Sequence, residues 1–306
     1  MTILVVRLGA MGDILHTLPA VTGLHWAHPR ARIHWVVEPR WQVLLEGNPA
    51  LASVIPFDRR SWKSIRTVRR QLRALQFDQA YDFQGLLKSA LVAWQSGARR
   101  ITGYPASHLR EPLARFFYSE QPHIRAAHVV EQHLELAGVR PPSVLSLPEG
   151  RPEGSLPSGG FVLASPFAGW RSKQWPLEHF ALLAARLPVP LVLNVSPLDA
   201  QQLPALPNTI RHVSSLDGLI WATRRASAVA GVDSGPLHLA AALGKPGVAI
   251  FGATDPARNG PYGDTIRVLR SPRAVTSYKR GDEIDPVMRD ITVDQVHAQL
   301  APLLVP

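Results

Sequence analysis

The chain of 306 residues has no cysteine, which excludes a disulfide framework and thiolate metal sites and fits a reducing compartment. No apolar run approaches the roughly 20 residues that a membrane-spanning helix needs. The opening run Thr2-Ile3-Leu4-Val5-Val6 meets Arg7 too early for a secretory signal, so a cytoplasmic location is expected. Three catalytic signatures are missing as well: Asp-x-Asp, His-Glu-x-x-His and Gly-x-Ser-x-Gly. Metal-clamped sugar transfer, zinc hydrolysis and esterase chemistry therefore lack their usual marks, and no bound metal or cofactor is expected. Short-period repeats and low-complexity tracts are absent too.

What is present suits a large soluble core, with 46% of residues hydrophobic and a length that fits about two ordinary domains. Lys and Arg total 33 against 23 Asp and Glu, a formal charge of +10, so partners of negative charge are favoured. Much of the excess lies between Arg59 and Arg70, where Arg59, Arg60, Lys63, Arg66, Arg69 and Arg70 spread around a predicted helix. A solvated helix face and a binding patch fit that spread equally well. Nucleic acid is not an expected partner, because RNP-type aromatics, zinc knuckles and a compact basic tract are all lacking.

Short apolar runs alternate with helical patterns in both halves. Strands are predicted at 3–6, 33–37, 53–57, 79–83 and 100–103, with helices starting near Gly12, Trp41, Ser64 and Leu87. Residues 141–160 crowd Pro141, Pro142, Pro148, Pro152, Pro157, Gly159 and Gly160 together and read as a linker. A second series follows, with strands at 161–164, 191–195, 210–213, 228–232 and 248–251, helices starting near Pro176, Leu216 and Pro236, and a capped terminal helix over 292–300. The expectation is an α/β chain of two doubly wound domains, 1–150 and 151–306, facing a cleft, with ligands at the carboxyl ends of the strands.

Three strand-to-helix turns are candidates for chemistry. The first, Arg7-Leu8-Gly9-Ala10-Met11-Gly12-Asp13, is neither a dinucleotide fingerprint nor a Walker loop; its Asp13 suits either a helix N-cap or a catalytic carboxylate. The second, Asp233-Ser234-Gly235-Pro236-Leu237-His238, offers backbone N-H groups at a helix start where a diphosphate can sit. Asp233 there suits sugar hydroxyls or bracing of the loop, and His238 suits a ligand contact or simple core packing. The third, Ala168-Gly169-Trp170-Arg171-Ser172-Lys173-Gln174-Trp175, sets Arg171 and Lys173 where they can neutralise a leaving diphosphate, although a plain surface loop fits equally.

These turns, in this order, resemble those of the ADP-heptose:lipopolysaccharide heptosyltransferases. The resemblance also takes in Met11 to Ala20, Asp82 to Ala90, Arg110 to Ala114, Lys173 to Pro176, Val232 to His238, Gly252 to Pro256 and Met288 to Ile291, and so runs over nearly the whole chain. It implies a GT-B architecture in which the first Rossmann-like domain holds the acceptor and the second the nucleotide sugar. It implies an inverting, metal-independent transfer of L-glycero-D-manno-heptose from ADP-heptose to the Kdo residue of Kdo-linked lipid A, with Asp13 as base. On the donor side it implies Lys173, Arg171, Asp233, Ser234, Gly235, His238 and Asp199. On the anionic acceptor side it implies Arg59, Arg60, Lys63, Lys88 and Arg110. Peripheral contact with the cytoplasmic face of the inner membrane follows from such an acceptor. Another GT-B sugar transferase or an epimerase is the alternative, and the segment 272–286 is where preference for donor or acceptor has room to vary.

Overall fold

The computed structural model describes residues 1–304, so Val305 and Pro306 of the expected second domain lie outside the described residues. The chain divides into two compact units, Met1–Pro148 and the remainder from Glu149.

In the first unit, β1 (Thr2–Val6), β2 (Arg32–Val37), β3 (Ser53–Pro56), β4 (Gln79–Asp82) and β5 (Arg100–Thr102) form one parallel sheet in the order β3-β2-β1-β4-β5. Ile3 to Val6 are fully buried, as expected of a central parallel strand covered on both faces. The helices are α1 (Met11–Ala27), α2 (Trp62–Leu75), α3 (Leu87–Gln95) and α4 (Val129–Ala137). Helix α4 packs on α1 so closely that a Cβ on Gly23 would lie 2.7 Å from Val139.

Several expectations need correction here. The helix expected near Trp41 is a 3-10 stretch, Pro39–Leu45, closed by Gly47 in the left-handed region. Helix α4 was not predicted, and neither was the edge strand β11 described below. Helix α1 begins at Met11, with Ala10 as its N-cap, so Asp13 sits in the first turn and is not the cap.

In the second unit, β6 (Val162–Ser165), β7 (Leu191–Val195), β8 (Thr209–Val213), β9 (Ala228–Val232), β10 (Gly247–Phe251) and β11 (Ile266–Arg270) form a second parallel sheet in the order β11-β10-β9-β6-β7-β8. Helices α5 (Leu177–Ala184), α6 (Leu216–Arg225), α7 (Gly235–Ala242), α8 (Pro256–Asn259), α9 (Pro286–Arg289) and α10 (Val293–Leu300) accompany it. Helix α10 has the expected cap, with Thr292 accepting from the Gln295 amide. Its Val296 and Leu300 share a core with Phe180 and Leu183 of α5 and with Trp175, whose indole N-H donates to the Ile291 carbonyl at 2.9 Å.

Residues 141–160 hold no helix or strand. Their later part is fastened to the second unit: Glu153 accepts from the Ser215 amide at 2.6 Å, and its carbonyl lies 2.7 Å from His212 Nε2. In each sheet the strand order reverses once, between β1 and β4 in the first and between β6 and β9 in the second. Connections leaving adjacent strands in opposite directions open a crevice at their carboxyl ends.

Candidate active site

At the first reversal, the turn after β1 and the turn after β4 are bound together. The Leu8 amide donates to Gln84 Oε1 at 2.9 Å, and Arg7, just beyond the last residue of β1, donates from Nη1 to the Phe83 carbonyl at 2.5 Å. The other end of the Arg7 fork, Nη2, lies 2.7 Å from Asp13 Oδ2. That oxygen also accepts from the Ala10 amide at 3.0 Å, closing the first turn of α1 back on its cap. The arginine side chain is 9% exposed and the aspartate side chain 44%. Desolvation pushes the Asp13 carboxyl up, but Arg7, the Ala10 amide and His133 together outweigh it and hold the group below the ordinary carboxylate range. Asp13 is therefore an anion with a fixed orientation and one accessible side.

Asp82, at the end of β4, is fully buried and receives hydrogen bonds from the Gln84 and Gly85 amides, Ser89 Oγ and Tyr118 Oη. Burial raises its pKa despite these four donors. The carboxyl thus shapes the turn that leads to Lys88, and its burial removes it from contact with solvent. Beneath α1, His133 of α4 is buried beside the His16 carbonyl, 3.0 Å from its Nδ1, and desolvation with the nearby Arg7 charge drives its pKa down to about 3.

The expected acceptor residues fall into two groups around this turn. Arg59 and Arg60 are exposed, and Arg59 reaches Glu38, whose amide donates to the Leu8 carbonyl at 2.9 Å. Lys63, Arg66, Arg70 and Arg73 follow on one outward stripe of α2, opposite the buried Val68 and Leu72. On the other side stand Lys88, half-buried in the first turn of α3, and exposed Arg110, next to Glu111, which accepts from the Leu87 amide at 2.6 Å. Nothing ties Arg66, Arg69 or Arg70 directly to the Asp13 turn.

At the second reversal, the turns after β6 and β9 meet in a salt bridge, Lys173 Nζ to Asp233 Oδ2 at 2.5 Å. His238 Nε2 stands 3.4 Å from the other carboxylate oxygen. Desolvation raises Asp233, but hydrogen bonding to His238 and the Lys173 charge take it down to about 2. The Lys173 ammonium also lies over the Trp170 ring, 4.4 Å from its centre. These contacts brace Asp233 within the loop, with buried His238 beside it. Arg171 stays exposed on the same 3-10 turn.

Helix α7 starts at Ser234, whose hydroxyl is buried and makes no hydrogen bond within the protein. Pro236 carries no N-H, so the Gly235 amide and the Ser234 hydroxyl are what this end offers an anion. Thr254, after β10, has a second buried hydroxyl without a partner. Asp199, after β7, is used within its own turn, where it accepts from Ser196 Oγ at 2.6 Å and from Gln202 at 3.2 Å. The segment 272–286 adjoins the Lys173 turn: the Ser172 amide donates to the Gly281 carbonyl, and the Asp285 amide donates to that of Ser172. Among the described residues no three His, Cys, Asp or Glu side chains are grouped as metal ligands would be, and no helix is long and apolar enough to cross a membrane.

Arg7 and His133 were not singled out by sequence reasoning. The signal for Arg7 was available: an arginine directly after a fully apolar strand is buried, a buried cation needs a partner, and Asp13 is the nearest acid in sequence.

Comparison with known proteins gives a consistent result. The profile of Glycosyltransferase family 9 (heptosyltransferase) matches residues 65–287. Lipopolysaccharide heptosyltransferase 1 of Escherichia coli strain K12 is 31% identical over 89% of this chain and 94% of its own length. The solved structure of E. coli heptosyltransferase WaaC with ADP superposes with a TM-score of 0.79 at 28% identity, covering 99% of this chain and all of the other. The same enzyme with ADP-2-deoxy-2-fluoro heptose gives 0.76 at 28% identity over 98% of this chain and 99% of that one.

Proposed function

The chain belongs to glycosyltransferase family 9, the heptosyltransferases, and we propose that it transfers L-glycero-D-manno-heptose from ADP-heptose to the Kdo residue of Kdo-linked lipid A during synthesis of the lipopolysaccharide inner core. The relatives holding ADP and ADP-2-deoxy-2-fluoro heptose support the donor. The first unit holds the acceptor and the second the nucleotide sugar, and the enzyme works at the cytoplasmic face of the inner membrane.

One observation carries the mechanism: Asp13 is kept ionised by Arg7 while its other side stays accessible. In an inverting displacement the acceptor oxygen bonds to the anomeric carbon as the bond from that carbon to the diphosphate oxygen breaks. The attacking hydroxyl grows acidic as its new bond forms, so a carboxylate of low pKa suffices to take the proton. Until then its charge faces an oxocarbenium-like carbon. ADP leaves with its added negative charge met by Lys173, Arg171 and the Ser234-Gly235 helix start, which act where a metal would otherwise serve.

The stripe of Lys63, Arg66, Arg70 and Arg73 supports an anionic acceptor. Like charges three and four residues apart destabilise a helix, so a purely solvated face gains nothing from four of them. Facing phosphates and carboxylates they become attractive.

Asp13→Asn decides the central assignment. The variant stays folded, with a melting temperature lowered by the loss of the charge beside buried Arg7, and keeps its affinity for ADP while turnover falls roughly 10²–10⁴-fold. Near-normal turnover would move the proton to another acceptor. EDTA leaves wild-type transfer intact, and an absolute need for added magnesium would sink the metal-free displacement.

A further inference from the structure

Helix α3 carries Leu87, Leu91 and Trp94 on one exposed face, at the i, i+4, i+7 spacing of a single stripe. Beside it packs the 3-10 stretch Pro112–Phe117, with the Phe117 ring edge-on to Trp94 at 6.1 Å. From that stretch Leu113 and Phe116 project outward, 60% and 70% exposed. Five large apolar side chains thus stand exposed on two elements packed side by side, a concentration that points to an interaction surface.

Its surroundings are cationic. Arg115 lies over the Phe116 ring at 4.8 Å, Arg110 and Lys88 adjoin it, and the Arg73 guanidinium rests over Gly97 just past the end of α3. Glu111, beside Arg110, accepts from the Leu87 amide at 2.6 Å. An apolar centre with a Trp and a Phe inside a basic rim has the composition of an interfacial membrane anchor. A second copy of the chain fits it poorly, since a two-fold interface would set one basic rim against another.

We propose that the face built by α3 and residues 112–117 inserts its apolar side chains into an anionic phospholipid surface, with Arg73 and Arg115 against the headgroups. This rests on the reading above of a membrane-held acceptor and names the surface that reaches it.

The test measures sedimentation of the full chain with vesicles of phosphatidylethanolamine and phosphatidylglycerol, and with vesicles of phosphatidylcholine alone. Wild type binds the first far more than the second, and salt weakens the binding. The double variant Leu113→Gln with Phe116→Gln lowers binding on the order of 10-fold or more, because the insertion is apolar. It keeps its melting temperature and its turnover on an acceptor stripped of acyl chains, and loses turnover on the same acceptor embedded in vesicles. Leu91→Gln, on the other element, acts in the same direction.

Unchanged vesicle binding in both variants overturns the proposal. So does an equal loss of turnover on the acyl-free acceptor, which would assign the patch to sugar handling. A wild-type dimer that these variants dissociate, with vesicle binding untouched, would assign it to self-association. Should wild type transfer no heptose at all, the functional reading fails while the vesicle measurement still answers for the surface.

Discussion

Replacing Arg7 by methionine keeps most of the buried stem and removes the charge that faces Asp13. A charge-assisted hydrogen bond such as the 2.7 Å contact contributes about 1.5–3 kcal/mol. The Asp13 side chain is 44% exposed, so solvent screens part of this and the lower end applies. The direction follows from the balance at the site. Desolvation alone raises the carboxyl, and Arg7 is the largest influence against it. Without Arg7 the pKa rises, more of the base is protonated at a given acidity, and the acid limb of the kcat profile moves to higher pH.

The same change leaves the Phe83 carbonyl without its donor, at a cost of about 1–3 kcal/mol of stability, so melting must be followed alongside. Arg7→Lys retains the charge and serves as the folded control, with a smaller displacement. The assay is kcat at saturating ADP-heptose and acyl-free acceptor across the acid range. An acid limb that superposes on wild type would refute the reasoning. A kcat loss equal at every pH, and additive with that of Asp13→Asn in the double variant, would also do so, because it would reduce Arg7 to a structural part.

Lys173→Ala removes the charge proposed to meet the diphosphate and should weaken ADP binding or slow transfer by about 1.5–3 kcal/mol, read by calorimetry and turnover; ADP affinity and turnover both unchanged would take the lysine out of the site. His133, held neutral by burial, ties stability to pH: between about 6.5 and 3 the unfolded chain takes up a proton that the folded chain refuses, so stability falls by about 1.4 kcal/mol per unit as pH drops through that window. His34 and His179 are shifted the same way, so the measurement is the difference between wild type and His133→Asn in denaturant titrations at neutral and mildly acidic pH, and equal slopes would contradict it.

The alternation of apolar runs and helical patterns was legible because parallel strands buried on both faces read as short runs dominated by Val, Ile, Leu and Ala. Leu191–Val195 and Ala228–Val232 coincide with expectation to the residue. Strand β11 escaped because Ile266-Arg267-Val268-Leu269-Arg270 lies at the sheet edge, where arginines interrupt the run. Helix α4 escaped because it is nine residues long and buries a histidine among its apolar positions. The turns carrying Asp13, Lys173 and Asp233 were visible as motifs, but the long-range contacts that join them to other turns were not. Arg7 meets Phe83 across 76 positions and Lys173 meets Asp233 across 60, distances that no local pattern spans.

The Arg7–Asp13 and Lys173–Asp233 pairings share a construction and differ in one respect that bears on their chemistry. Each sets a carboxylate against a cation where the strand order reverses, and each is locked by further hydrogen bonds. In the first unit the cation is the hidden member, Arg7 at 9% exposure against 44% for Asp13. In the second the carboxylate is the hidden one, Asp233 at 9% against 19% for Lys173. A buried partner holds the other group in its charged form and in place, and the group left accessible is what a ligand meets. The first unit therefore leaves the carboxylate the more accessible member of its pair, and the second leaves the ammonium. A glycosyl transfer with a departing diphosphate needs both: an anion for the hydroxyl proton and the electron-poor carbon, and a cation for the leaving oxygens. Reversing either exposure would leave the same residues in the sequence and offer the wrong charge to the reaction.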